Sequence, residues 1–428
     1  MKILIISHNP LSTYQNMGKT MLSLFHAFDK NELCQLYIYP SLPDVDSCKS
    51  FFRITDKDIL RSYYKFKVRG KEVFADLDNH NIFENPNDEK FYRNKKNNSS
   101  FRMIIRDLMW KFSKWYNKNL CQWIRREAPD IIFIAPGASK FIYNIALKIS
   151  KIQNVPIVTY ICDDYYFVIE ETTFFEKKKL NLLKRKIEQL LSRTRQLIVI
   201  SKGLELAYGK KFKVPCKTIM TGSNYPIAGK VSNKKEIRNI IYMGNIGCNR
   251  FNSLSDIGEA LDEINIENKT DYKLNIYTGE KDKFIINKLK HYNSIQVKDF
   301  VAGEEFKNIF HSADMLLHVE AFDKKSIDLV KYSVSTKIAD SLGSGICLFA
   351  YGPACVSSMK HLIENDCAVC AVSKGELKEK LLLAFNNRKL REEKAYNALT
   401  TAHKYHDENI TSREFHFLME KINENTAN

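Results

Sequence analysis

The run Ser333-Val-Ser-Thr-Lys-Ile-Ala-Asp-Ser-Leu-Gly-Ser-Gly345 concentrates groups able to hold a phosphorylated ligand. Ser335 and Thr336 can cap a helix and offer hydroxyls and amides to an anion, and Lys337 adds a full positive charge at the same end. Asp340 follows three residues later and shares a helix face with Lys337. Phosphates suit the cation and a ribose diol suits the carboxylate, so the set could hold a nucleotide. A capped helix carrying a solvated Lys337–Asp340 pair would use the same residues. A second segment, Gly244-Asn245-Ile246-Gly247, lies between an apolar run and a helical pattern, where glycine lets backbone amides approach a phosphate. Arg250, just beyond, brings a forked set of charged donors. An ordinary strand-to-helix turn would read the same way.

Both segments sit in a regular alternation of strand and helix. Lys2 to Ser7, Leu36 to Tyr39, Ile131 to Ala135, Ile157 to Ile161 and Leu197 to Ile200 read as strands, with helices over Met21 to Phe28, Phe101 to Arg126 and Lys177 to Ser192. After a polar connector, Val231 to Arg238, the pattern starts afresh. Strands are expected at Asn239 to Met243, Leu274 to Tyr277, Ile295 to Val297, Met315 to His318, Cys347 to Ala350 and Ala368 to Val372. A chain of 428 residues is long for one core. The expectation is an α/β protein of two doubly wound, Rossmann-like lobes facing a cleft, 1–230 and 231–388, with charged helices over 389–428 packing back on the first lobe.

The run Ser335-Thr-Lys-Ile-Ala-Asp-Ser-Leu-Gly-Ser-Gly345 resembles the S-x-K-hydrophobic-x-E-Y-hydrophobic-A-x-G segment of GT-B glycosyltransferases, especially bacterial retaining enzymes of the family-four type. Ala313-Asp-Met-Leu-Leu-His-Val-Glu320-Ala-Phe322 is similar to their A-D … E-G-F segment, and Tyr242-Met-Gly-Asn-Ile-Gly-Cys-Asn-Arg250 to their glycine-rich loop. Val199-Ile-Ser201-Lys-Gly and Met220-Thr-Gly-Ser-Asn224 match the end of their first lobe. The matches run in family order over most of the chain, with little from Pro40 to Asn119.

The resemblance implies a first lobe that binds the acceptor and a second that binds a nucleotide-sugar donor. It implies that Arg250 contacts the donor diphosphate, with Gly244, Asn245, Ser335, Thr336 and Lys337 beside it, that Asp340 stands where a glutamate binds the ribose, and that Glu320 approaches the donor sugar. Gly18 would lie near the donor phosphate or acceptor. Asp163 and Asp164, after the strand Ile157 to Ile161, resemble the acidic pair that positions or deprotonates the acceptor; the alternative is a turn that ends the strand. Two departures stand out: the insertion Asp323 to Val334 between the two acids, and Asn245 where the family usually has arginine.

The expected activity is transfer of a sugar, with retention, from a UDP- or GDP-linked donor to a saccharide or lipid-linked acceptor in bacterial surface polysaccharide or glycolipid synthesis. Fixed cations would stabilise the departing diphosphate, and no metal or cofactor is expected. Competing readings are a nucleotide-sugar 2-epimerase-type isomerase and a non-catalytic, membrane-associated scaffold of the same fold.

A net charge of +16 favours anionic partners. Within 101–126, Trp110, Trp115 and Trp123 interleave with Arg102, Arg106, Lys111, Lys114, Lys118, Arg125 and Arg126, and a second basic segment spans 177–195; both suit an anionic membrane surface. A partly buried helix with solvated basic residues is the alternative. No nucleic-acid-binding motif accompanies the charge. The apolar run at the N-terminus is too short for a signal core, and no stretch approaches the length of a membrane span. A cytoplasmic protein, peripheral on the inner face of the plasma membrane, is therefore expected. The ten cysteines read as reduced thiols, with Cys367 and Cys370 as core residues rather than redox or zinc ligands.

Overall fold

The computed structural model describes residues 1–13, 16–65, 70–77, 100–168, 173–223, 227–232, 236–301 and 303–427. Asn224, part of the connector 231–238 and the side chain of Arg102 lie outside the described residues. The chain divides into two units, Met1–Met220 with Thr411–Asn428, and Thr221–Ile410.

In unit one the strands are β1 (Ile3–Ser7), β2 (Leu33–Tyr37), β3 (Ser50–Arg53), β4 (Lys71–Val73), β5 (Ile131–Ile134), β6 (Ile157–Ile161), β7 (Thr194–Val199) and β8 (Cys216–Thr218). They form one sheet in the order β4-β3-β2-β1-β5-β6-β7-β8. All neighbours pair in parallel except β3 and β4. The helices are α1 (Asn16–Leu24), α2 (Asp56–Lys65), α3 (Ser100–Phe112), α4 (Lys118–Glu127), α5 (Lys140–Gln153), α6 (Phe174–Leu191) and α7 (Lys202–Phe212). β1 and β5 are buried along their whole length. Unbroken apolar runs such as Ile3 to Ile6 are what a parallel strand covered on both faces demands.

Unit two holds β9 (Asn239–Met243), β10 (Lys273–Thr278), β11 (Ile295–Asp299), β12 (Met315–Val319), β13 (Leu348–Tyr351) and β14 (Val369–Ala371). Its helices are α8 (Arg250–Asn268), α9 (Lys283–Lys290), α10 (Gly303–Ser312), α11 (Lys324–Val330), α12 (Thr336–Gly343), α13 (Ser357–Glu364), α14 (Lys374–Asn386) and α15 (Arg388–Tyr405). The sheet is wholly parallel, in the order β11-β10-β9-β12-β13-β14. This is the 3-2-1-4-5-6 pattern of doubly wound sheets, and β9 and β12 flank the point where the order reverses. Ligands of open α/β sheets bind outside the carboxyl ends of the strands at that point. The segments after β9 and β12 begin at Gly244 and Glu320.

The last helix, α16 (Glu408–Ala427), contributes Phe415, Met419 and Ile422 to the core of unit one. Phe415 meets the rings of Phe25, Phe28 and Phe133, at centroid distances of 5.2, 5.4 and 5.6 Å. The unit boundary at 220/221 lies ahead of the one read at 230/231. Of the tail 389–428, only the part from Thr411 joins unit one, while α15 stays in unit two against α12.

The single helix read over 101–126 is two helices, broken where Asn117 caps α4 by accepting from the Leu120 amide. Its tryptophans are core residues, which corrects the expectation that they meet a membrane. All three are buried. Trp110 Nε1 donates to Asp56 at 2.9 Å and its ring stacks on Phe141, while Trp123 Nε1 donates to Ser50. Indole supplies large apolar area, and its one donor finds an internal acceptor. Arg126 is spent on Glu72 and Glu127. The ten cysteines are free thiols, and burial pushes those of Cys367 and Cys370 up to about 12.

Candidate functional site

β9 delivers the chain to Gly244, whose amide donates to Tyr277 O at 2.9 Å. Its φ of 143° is a conformation that side-chain-bearing residues rarely adopt. Space sets a second requirement, because a Cβ built there would lie 1.6 Å from Lys337 Nζ. The loop then turns on an internal bond from the Gly247 amide to Asn245 Oδ1, 2.6 Å, and on Tyr242 Oη donating to Asn245 O. Cys248 and Asn249 take left-handed conformations at φ 52° and 57°, and α8 starts at Arg250. Asn245 therefore builds the loop with its side chain.

Glu320 follows β12 and is buried. Its Oε2 receives Arg250 Nε at 3.0 Å and Nη2 at 2.9 Å, and its Oε1 lies 3.4 Å from His318 Nε2. Burial alone would push the Glu320 carboxyl up, but His318 and Arg250 hold it below its ordinary value. Burial likewise opposes the charge on Arg250, yet Glu320 keeps it raised. Ser253 Oγ, on α8, donates to Glu320 O at 2.8 Å and fixes the loop to the strand end.

Lys337 stands in the first turn of α12. The residue as a whole remains exposed, but its ammonium is crowded at the end of β9, beside Gly244 and 5.7 Å from the Tyr242 ring centroid. Loss of hydration, followed by repulsion from Arg250, pushes its pKa down to about 8. Two cations thus converge beside the starts of α8 and α12 against one carboxylate, which leaves a net positive charge. Such an arrangement attracts a polyanion.

The insertion after Glu320 is folded rather than loose. Asp323 caps α11 by accepting from the Ser326 amide, and Asn249 Nδ2 donates to Asp323 Oδ2 at 3.1 Å and to Ser326 Oγ at 3.3 Å. The departure from the resembled pattern therefore braces the glycine loop.

The remaining candidates are placed differently. Asp340 is buried, and its Oδ1 accepts from Ser223 Oγ at 2.6 Å. Ser223 is held in turn by its amide donating to His406 O at 2.8 Å. Ser335 caps α12 without a side-chain bond to it, and Thr336 is exposed. In unit one, Gly18 lies in α1, where a Cβ would come 2.5 Å from Pro10 O, so its small size lets the β1–α1 loop close. Asp164 is the turn-former after β6: it accepts from the amides of Tyr166 and Phe167 and from Tyr208 Oη at 2.8 Å. Asp163 beside it is exposed and raises the Tyr165 hydroxyl's pKa, second to burial. Among the described residues, no group of three or more His, Cys, Asp or Glu could hold a metal ion.

His318, Ser223 and Tyr242 are site residues that the sequence reading passed over. For His318 a signal existed, since residues two apart on a strand share a face and Glu320 follows at that spacing. Ser223 lies 117 positions from Asp340. No local pattern links them.

No family model matches the sequence, and no curated protein matches it significantly. Solved structures match over nearly the full length. Sucrose-phosphate synthase from Thermosynechococcus elongatus is similar at a TM-score of 0.63 and 9% identity, covering 99% of each chain. HepE from Anabaena, in complex with UDP and glucose, matches at a TM-score of 0.63 and 8% identity, over 98% of this chain and 100% of that one. An α,α-trehalose-phosphate synthase (UDP-forming) from Burkholderia xenovorans, in complex with glucose-6-phosphate, matches at 0.59 and 10% identity, over 98% and 100%. With a mainly parallel sheet in each unit and these matches over nearly its full length, the chain has the GT-B fold.

Proposed function

We propose that this protein is a nucleotide-sugar glycosyltransferase that binds its donor on unit two and its acceptor on unit one. The observation that carries the reading is the convergence of Arg250 and Lys337 at the strand ends of the sheet's reversal point. There they can hold a diphosphate and stabilise the negative charge that develops as the sugar departs, without a metal or cofactor. Gly244, Asn245, Ser335 and Thr336 shape the pocket around them, Asp340 takes the ribose, and Glu320 approaches the donor sugar. Asp163 and Gly18 serve the acceptor side, and transfer proceeds with retention. UDP is favoured as the nucleotide because HepE was solved with UDP and with UDP-glucose. The acceptor is a saccharide or a lipid-linked saccharide of bacterial surface polysaccharide or glycolipid synthesis. A lipid-linked acceptor would bring a cytoplasmic enzyme to the inner face of the plasma membrane; among the described residues, no helix is long and apolar enough to cross it.

The test is thermal shift against UDP, GDP, CDP and ADP, followed by turnover of the preferred sugar nucleotide with and without acceptor. Stabilisation by UDP and acceptor-dependent release of UDP are expected. Release or inversion of the sugar without any acceptor would instead mark an isomerase, and stabilisation by no nucleotide would end the proposal.

Two further results are expected here. Gly244→Ala places a methyl where Lys337 Nζ lies and strains the backbone at φ 143°. It should weaken UDP binding at least tenfold, roughly, and cost about 1–3 kcal/mol of stability, read by calorimetric titration and denaturant unfolding. Affinity should also depend on pH. Because the lysine pKa is lowered to about 8, Lys337 is charged below that value and neutral above it. UDP affinity should hold from neutral pH to about 8 and then fall, by up to roughly tenfold per pH unit. Lys337→Arg should remove that fall, since arginine stays charged.

A further inference from the structure

The helix α3 leaves a stripe of large apolar side chains exposed. Two of its charged residues pair with neighbouring elements: Arg106 with Asp56 at 2.9 Å, while also donating to Ser139, and Asp107, which accepts from the Phe141 amide and lies 3.5 Å from Lys140. Trp110 is buried, yet part of the helix's apolar surface faces out. Ile105, Leu108 and Phe112 are 41%, 46% and 68% exposed, at the i, i+3, i+7 spacing of one stripe. Tyr63 of α2 extends the stripe, with its hydroxyl bonded to Met109 O at 2.7 Å, and Leu182 on the adjoining α6 is also exposed. Contiguous exposed apolar area marks a contact surface.

The rim indicates the partner. Lys179 reaches α3 at Met103, and Lys111 caps the stripe beside Phe112. Lys186 stands close enough to Lys111 and Lys140 that, after burial, their repulsion is what lowers its pKa. Lys111, Lys179 and Lys186 pair with no carboxylate among the described residues. An apolar strip bordered by uncompensated ammonium groups complements a layer whose headgroups are anionic and whose interior is hydrocarbon.

We propose that Ile105, Leu108 and Phe112, ringed by Lys111, Lys179 and Lys186, form the face by which unit one docks on an anionic lipid membrane. It gives the membrane part of the proposed function a contact surface and is independent of the donor site. The tryptophans take no part.

The full chain is tested by co-sedimentation with vesicles of phosphatidylglycerol and phosphatidylcholine, against phosphatidylcholine alone. Binding roughly tenfold stronger to the anionic vesicles is expected, falling steeply toward about 0.5 M salt. Leu108→Ser with Phe112→Ser should lose about tenfold, and Lys111→Glu with Lys186→Glu should abolish the preference for phosphatidylglycerol. Circular dichroism and melting temperature report whether the variants fold, without reference to nucleotide. Failure of UDP to stabilise the parent would end the donor reading and leave this one standing. Equal binding to both vesicles, or variants that bind like the parent, would overturn it. So would a dimer that dissociates on the serine substitutions, since a second copy would then cover the stripe.

Discussion

Alanine at Lys337 is expected to abolish stabilisation by UDP and to cut turnover by about 10²–10³-fold, the scale on which a single fixed stabilising group acts in a transition state. Arg250 compensates only in part, because its Nε and Nη2 are engaged by Glu320 Oε2. Lys337 makes no ion pair among the described residues, so of the two cations its charge is the less committed when a diphosphate arrives. The empty protein should lose nothing, since the substitution removes an ammonium that burial and Arg250 already disfavour. Scanning fluorimetry with and without UDP, together with chromatographic assay of released nucleotide, separates the two effects. An unchanged UDP shift would sink the donor site as drawn.

The second large effect runs the other way, through stability. Glu320→Ala leaves Arg250 half buried without its carboxylate, and breaking one side of a buried pair costs about 3–5 kcal/mol. For a unit of this size that is a drop of roughly 6–20 °C in melting temperature. Adding Arg250→Met should restore most of the loss, because the uncompensated charge is then gone. UDP affinity should survive Glu320→Ala, or rise, as Arg250 is released toward the phosphates, while sugar transfer is lost. A stable Glu320→Ala protein would show that the pair seen between α8 and β12 carries little of the fold.

The fold was legible where a segment's environment is uniform. β6 and β9 fall where Ile157 to Ile161 and Asn239 to Met243 were read, because a strand covered on both faces is mostly apolar along its buried length. β4, with Lys71 and Glu72 exposed, carries no such signature and went unread. The tryptophan helix was misread because its inward charges are neutralised by Asp56 and Lys140, residues of other elements that no local window contains. With those partners hidden, Arg106 and Trp110 look like a surface pattern. At the site, the glycine, Arg250 and Lys337 were legible from residue type and order. The bond from Ser223 to Asp340 was not, because the fold alone brings the two together.

The return of α16 to the first sheet also has a temporal side. The ribosome makes residues 1–220 first, yet Phe415, which fills the gap among Phe25, Phe28 and Phe133, follows after the whole of the second unit. At synthesis rates of about 5–20 residues per second, the nascent first sheet waits roughly 10–40 s with that aromatic slot open. The contiguous second unit can close in the meantime. Order of synthesis and order of completion are therefore reversed, and the early half is the one exposed to chaperones.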